Sequence, residues 1–251
     1  MRCLAALSNV RFPRLVGALA LMAACESGTA DGTQDDVVDD TTDGTGDLPA
    51  FTDHEGTTFT IRGGIAYELD IDGESYSGIR LTNAVNPCDA LTWHLRRDND
   101  LSRMFRRDPF DEASFEEAIA NTAVAWEEEI GEPQLLEFIV ELESLPLDTP
   151  VTFPSDETAG RFWGAIVRVG GPFEYESYET ESGFGRTFGP SGGYEAGSET
   201  GTLELTRTAS GVSGSADLGM VTDELAQFDF AADFDVAYCT AWADAWAAGQ
   251  D

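Results

Sequence analysis

Residues 228–238 alternate between apolar and mostly acidic positions. Phe228, Phe230, Ala232, Phe234, Val236 and Tyr238 fall on one phase, with Asp229, Asp233 and Asp235 on the other. A period of two is the mark of a half-buried strand. Cys239 falls on the acidic phase, so a bulge or the strand end is expected beside it. The same alternation runs through Leu136, Phe138, Val140 and Leu142, and through Trp163, Ala165, Val167 and Val169. It recurs briefly at Leu203 and Leu205, with Gly211 to Leu218 as the returning partner. Ile65, Tyr67, Leu69 and Ile71 form an early strand, which Asp72-Gly73 turns by a two-residue hairpin into 74–82.

One segment changes period. Phe115, Ile119, Thr122, Ala123, Trp126 and Ile130 share a face at helical spacing. Ser114 and Glu117 stand as a capping box, and Gly131 and Pro133 end the helix. Ala241 to Ala248 reads as a short final helix. The pattern predicts a mainly β fold, an antiparallel sandwich or barrel with one inserted α-helix and a short C-terminal helix.

Composition divides the chain. Leu15 to Ala24 is apolar, follows Arg2, Arg11 and Arg14, and is too short to span a bilayer, which takes about 20 residues. Residues 1–24 therefore read as a signal peptide. Leu21-Met22-Ala23-Ala24-Cys25 resembles the lipobox of bacterial lipoproteins, with Met22 where that motif prefers Leu. The resemblance implies cleavage before Cys25 and lipidation of its sulfur. From Glu26 to Ala50 there are eight acids and no basic residue, a composition that cannot bury a core. Residues 25–54 are expected to be an acidic, disordered tether, and 55–251 a single β-rich domain.

Charge narrows the partners. All 14 basic residues are arginine, and the chain carries a formal charge of −33. Cleavage would leave 11 arginines against the 47 acids, a net −36. Such a surface disfavours nucleic acid and anionic headgroups. Cys88 and Cys239 are the cysteines left once Cys3 is removed and Cys25 lipidated; in an exported protein they are expected to form a disulfide. That bond is expected to bring the end of the 74–82 strand beside residue 238.

Two stretches, IRLTNAVNPCDAL around Cys88 and GTLELTRTASGVSGSADLGM with FDFAADFDVAYC up to Cys239, resemble a family of predicted lipoproteins common in myxobacteria. The resemblance covers about a third of the domain and implies a β-rich fold and the disulfide, with no activity. Residues 89–134 depart from it.

Candidate chemistry is sparse. Gly189-Pro190-Ser191-Gly192-Gly193 fits G-x-S-x-G, but glycine and glutamate follow where a nucleophile elbow needs a helix, and no histidine comes after it. With His54 and His94 the only histidines, no zinc spacing exists. Asp70-Ile71-Asp72-Gly73-Glu74 lacks the ligands of a calcium loop in register and reads as the hairpin. No catalytic, metal or cofactor residue is assigned. Arg96, Arg97, Arg103, Arg106 and Arg107 put five arginines into twelve residues. They pair internally or meet an anionic partner such as lipopolysaccharide phosphate. Phe173, Tyr175 and Tyr178 lie in a stretch that also holds Phe184, Phe188 and Tyr194, and form either hairpin packing or a contact surface. The expectation is a lipid-anchored envelope protein, in the outer membrane of a Gram-negative bacterium, that binds a protein or glycan without catalysis. A carboxylate-based surface hydrolase and a coat-like structural lipoprotein are the alternatives.

Overall fold

A computed structural model describes residues 50–71, 73–143, 145–154, 162–180 and 183–249. The chain is mainly β and antiparallel, as the alternation predicts. β1 (Ala50–Thr52) and β2 (Thr58–Thr60) form a small hairpin. β3 (Gly63–Ile71) and β4 (Glu74–Thr82) pair through the expected tight turn, with Gly73 at φ 83°. Two helices follow, α1 (Pro87–Phe105) and α2 (Glu112–Ile130). Then come β5 (Leu135–Glu143), β6 (Val151–Pro154) and β7 (Phe162–Gly170). The hairpin β8 (Phe173–Thr180) and β9 (Gly183–Pro190) stands apart as its own sheet. β10 (Tyr194–Arg207), β11 (Gly211–Thr222), β12 (Gln227–Ala237) and α3 (Thr240–Gly249) complete the chain.

The main sheet runs β12-β11-β10-β7-β5-β4-β3, with β6 against another stretch of β10. It curls until its edges approach. Tyr238 bridges Ala66 of β3, and the Cys239 amide donates to the Ala66 carbonyl at 2.9 Å. Arg207 locks the same seam: it pairs with Glu68 and donates to the Tyr238 hydroxyl at 3.1 Å and the Leu145 carbonyl at 3.2 Å.

Alternation decides what lies inside the curl. Ile79, Leu81, Leu136, Phe138, Val140, Leu142, Ala165, Val167, Leu203, Leu205 and Phe230 are buried there, with Phe138 and Phe230 stacked at 4.1 Å. The Trp163 side chain lies outside the described residues. Phe51 enters the same core, 3% exposed and 5.1 Å from the Phe228 ring. The folded unit therefore includes residues 50–54. They belong to it rather than to the tether, because Phe51 and the buried Asp53 make interior contacts that an acidic linker cannot. The remainder of the expected tether, the signal segment and Cys25 lie outside the described residues.

The other phase of the sheet is covered by helices, so both faces are buried over β3, β4 and β5. Ile65, Tyr67 and Leu135 join Leu91, Leu101, Phe115, Trp126, Ile130 and Trp242 in a second core. The sequence predicts one inserted helix, and there are two. α1 escapes the periodicity because His94 and Asp98, one turn apart, interrupt its apolar stripe. Pro87 starts α1, where a missing N–H costs nothing. α2 is capped three residues earlier than the predicted box: the Asp111 carboxylate accepts from the Ser114 amide at 3.2 Å and its hydroxyl at 2.7 Å. Gly131, at φ 76°, ends α2 as expected.

Cys88 and Cys239 form the disulfide, with Cα atoms 5.7 Å apart. It joins the first turn of α1 to the β12–α3 junction. The strand beside residue 238 is β3 rather than β4, because β3 is the sheet's edge and β4 lies one position inward.

Candidate functional site

The arginine segment becomes the end of α1 and the turn into α2. All five arginines are exposed. Helical spacing sends Arg97, Asp100, Leu101 and Met104 toward α2, and Arg103 and Arg107 lie at the margin. With Ala118, Asn121 and Thr122 of α2 they line a groove of about 460 Å³. Arg96 and Arg106 are outside this lining. Arg97 holds its guanidinium 5.9 Å from the Trp93 ring. Arg103 donates to the Ala248 carbonyl near the end of α3 and stands 3.6 Å from Asp100. Among the described residues, Arg97 and Arg107 form no ion pair. The floor is apolar through Leu101, Met104 and Ala118, and the Thr122 hydroxyl is turned back to the Ala118 carbonyl at 2.8 Å. A concave surface lined by three arginines and a small apolar floor can hold an anion attached to a larger body.

The aromatic candidates are placed differently. Phe173 is 3% exposed, stacked on His94 at 5.2 Å and edge-on to Trp126. Tyr175 packs on Phe115 and donates its hydroxyl to Glu112 at 2.7 Å. Burial, helped by that carboxylate acceptor, pushes the Tyr175 phenol up to about 12. Phe188 sits against Phe105 and Phe115, and Arg186 covers the Phe110 ring at 4.1 Å. The β8–β9 hairpin thus spends its aromatics holding the two inserted helices. Tyr178, 46% exposed, is the one of the three candidates that faces solvent. The Phe184 side chain lies outside the described residues.

Beneath α1 lies a group of charges that the periodicity hides. Arg80 and Glu137 occupy the polar phase of β4 and β5 and meet at 2.6 Å, with Glu137 2% exposed. In the next strands Arg168 pairs with Glu195 at 2.8 Å. The register places Glu137 opposite Arg168 and Arg168 opposite Glu195, so the signs alternate across the sheet. Trp242 lies under the Arg80 guanidinium at 4.7 Å. Burial alone would raise Glu137, but the charges of Arg80, His94 and Arg168, with the Arg80 hydrogen bond, together outweigh it and hold the carboxyl below its ordinary value. Burial likewise works against Arg80, and Glu137 and Tyr67 together reverse the direction. His94 is pushed down by burial, against the pull of Glu137 and Asp98, and Asp98 is pushed up by burial. Strand alternation marks Arg80 and Glu137 as pointing away from the inner core; it cannot show that helices will cover them.

The remaining motifs resolve into structure. Gly189 and Pro190 end β9 and residues 191–193 connect it to β10, so a strand follows, and the Ser191 amide donates to the Pro172 carbonyl while its carbonyl accepts from the Gly171 amide. Asp70 accepts from the Gly73 amide at 3.0 Å, as a turn residue does. Asp72 and the Glu74 side chain lie outside the described residues. His54 packs between Tyr194 and Phe228. Among the described residues no group of three His, Cys, Asp or Glu could share a metal ion. On the groove's α2 wall, Thr122 belongs to the helix face that the periodicity predicts, whereas Asn121 carries no sequence signal of its own. No known protein family, curated protein or solved structure matches the chain.

Proposed function

We propose that this is an exported envelope protein, lipid-anchored through Cys25, whose β domain binds a glycan or protein partner without chemistry. The groove between α1 and α2 is its contact surface. The observation that carries this reading is the groove itself: three arginines gather around one concavity in a chain of net charge −33, where neighbouring acids are abundant. The apolar segment before Cys25 supports export, and no described helix is long and apolar enough to cross a membrane. The test is binding of the full-length chain to an array of envelope glycans, neutral and anionic. Binding that falls at least tenfold in the Arg97→Ala/Arg103→Ala/Arg107→Ala variant supports the groove. An array on which the wild-type chain binds nothing, or binds as well without the three arginines, overturns it.

A second reading is a hydrolase using Asp98 as acid and Glu137 as base, because burial moves Asp98 up while Arg80 holds Glu137 down, the divergence that such chemistry needs. Glu137 counts against it: it is 2% exposed and engaged by Arg80, so a substrate has no approach to it. Hydrolysis of any envelope polymer that disappears in Asp98→Asn would restore this reading.

A further inference from the structure

We infer that the α1–α2 groove selects a phosphomonoester carried on a sugar-sized body, and that it does so against carboxylates. This rests on the groove being the contact surface proposed above.

The first argument is competition. The chain carries 47 carboxylates and 14 arginines, so any accessible guanidinium meets carboxylate at high local concentration. Arg62, Arg80, Arg168 and Arg207 are all taken up by acids in this way. Arg97 and Arg107 have no ion pair among the described residues, as is also true of Arg96, Arg106 and Arg186 outside the groove; Arg103 donates to the Ala248 carbonyl and stands 3.6 Å from an exposed Asp100. What sets the groove apart is its lining: three arginines share one concavity with Asp100 as the one carboxylate, a formal charge of about +2 that a single carboxylate does not neutralise. A dianion with three acceptor oxygens matches that arrangement: it takes planar forks from two guanidiniums at once, which a monoanionic carboxylate does less well.

The second argument is size and lining. About 460 Å³ is many times the ~30 Å³ that one water occupies in the liquid. A bare phosphate would leave most of the groove wet. Leu101, Met104 and Ala118 give the remainder an apolar floor, and Asn121 adds an amide on the α2 side. A sugar ring has this mixed character, with an apolar face and polar edges.

The third argument is long-range charge. A chain at −33 repels every anion, yet at physiological salt the field fades within about 8 Å. Beyond that distance an anionic ligand is neither gathered nor strongly rejected, and the contacts inside the groove decide. A densely charged head group gains most from them.

Calorimetric titration of the full-length chain tests this with three probes: glucose 1,6-bisphosphate, digalacturonate, and vesicles of phosphatidylglycerol. The bisphosphate is expected to bind at least tenfold more tightly than digalacturonate, and more tightly than the diester headgroups. Arg97→Ala and Arg107→Ala should each weaken it about tenfold. Arg97→Lys should not restore it, since the charge returns without the fork. Arg186→Ala, outside the groove, should leave it unchanged. Affinity should fall below about pH 6 as the phosphate takes up its second proton, because arginine does not titrate there. Digalacturonate binding as tightly as the bisphosphate, or a flat profile through pH 6, would overturn the phosphate assignment while leaving the groove as a general anion surface. Diester vesicles binding best would move the ligand to lipid and overturn it equally. Glycan-array binding that needs the three arginines, with no bisphosphate binding, overturns this inference alone. Silence in both experiments removes the groove reading too.

Discussion

Glu137 and Arg80 show what one buried ion pair commits a fold to. Each is withdrawn from water, each relies on the other, and the Arg80 Nε is left without a partner in the protein. Glu137→Gln removes the countercharge and leaves the guanidinium between Trp242 and the sheet. The expected cost is about 3–5 kcal/mol, the range for breaking a buried pair from one side. The double change Arg80→Met/Glu137→Leu should recover most of it, since no charge then remains buried. Urea denaturation of the three proteins measures both, and a near-neutral Glu137→Gln would mean that water reaches the pair. His94 adds a pH dependence. Its pKa is lowered in the folded state by burial, while the unfolded chain takes up the proton near 6.5. Between that value and the lower folded one the unfolded state binds more protons, so stability falls as pH falls through this window. Glu137, held low by Arg80, loses its contribution only at lower pH, and Asp98, held high by burial, acts in the opposite sense. His94→Phe keeps the stacking on Phe173 and removes the proton. Denaturation midpoints measured from pH 7.5 to 5 should decline in the wild type and stay flatter in the variant. Parallel curves would show that His94 protonates freely in the fold.

Among the elements, strands were legible and their partners less so. The alternation in 136–142 and 228–238 locates β5 and β12 because each has one face on the inner core and a visibly polar other face. α1 was hidden for the complementary reason. Its inward positions meet charged side chains on the sheet's outer face, so His94 and Asp98 occupy places where a helix normally shows Leu. The arginine cluster was plain in the sequence, but its meaning depended on α2 lying alongside, and nothing in Asn121 announces that. Residues 50–54 read as tether because the short apolar stretch Leu48-Pro49-Ala50-Phe51 closes a long acidic run and shows no periodicity. Composition averages over windows, whereas burial is decided by one side chain. Phe51 closes the inner core with Phe59, Phe228 and Phe230 around it. Phe51→Ala should therefore cost about 3–5 kcal/mol, as large-to-small changes of buried aromatics do. The nearby Thr52→Ala, exposed on the same strand, should cost little. Equal thermal melting of the two variants would place β1 outside the cooperative unit.

At the scale of the whole molecule, net charge and anchorage dominate. With 47 acids against 14 arginines, self-repulsion opposes the compact state at every pH where carboxylates ionise. Raising NaCl from about 20 mM to about 0.5 M should raise the melting temperature, because the shorter screening length weakens that repulsion more than it weakens the few ion pairs. A falling melting temperature would mean that pairs such as Arg207–Glu68 at the sheet's seam outweigh the net charge. The same charge bears on the proposed membrane anchor. An acidic surface is repelled by anionic lipid, and no described helix is long and apolar enough to cross a bilayer. The apolar run ending at Ala24 is too short for a span, and the resemblance of residues 21–25 to a lipobox implies lipid on Cys25, the proposed anchor. Two or more acyl chains hold a protein stably where one does not, so a diacylglycerol thioether would suffice even against charge repulsion. Mass spectrometry of the membrane fraction should find a chain beginning at Cys25 and carrying acyl mass, with the Cys88–Cys239 bond intact in the same molecules. Cys25→Ala should abolish the acylated form while leaving the domain folded, because the disulfide and both cores lie within residues 50–249. A soluble product beginning at another residue, or a Cys25→Ala protein that stays in the membrane fraction with its normal mass, would refute the anchor and with it the envelope placement.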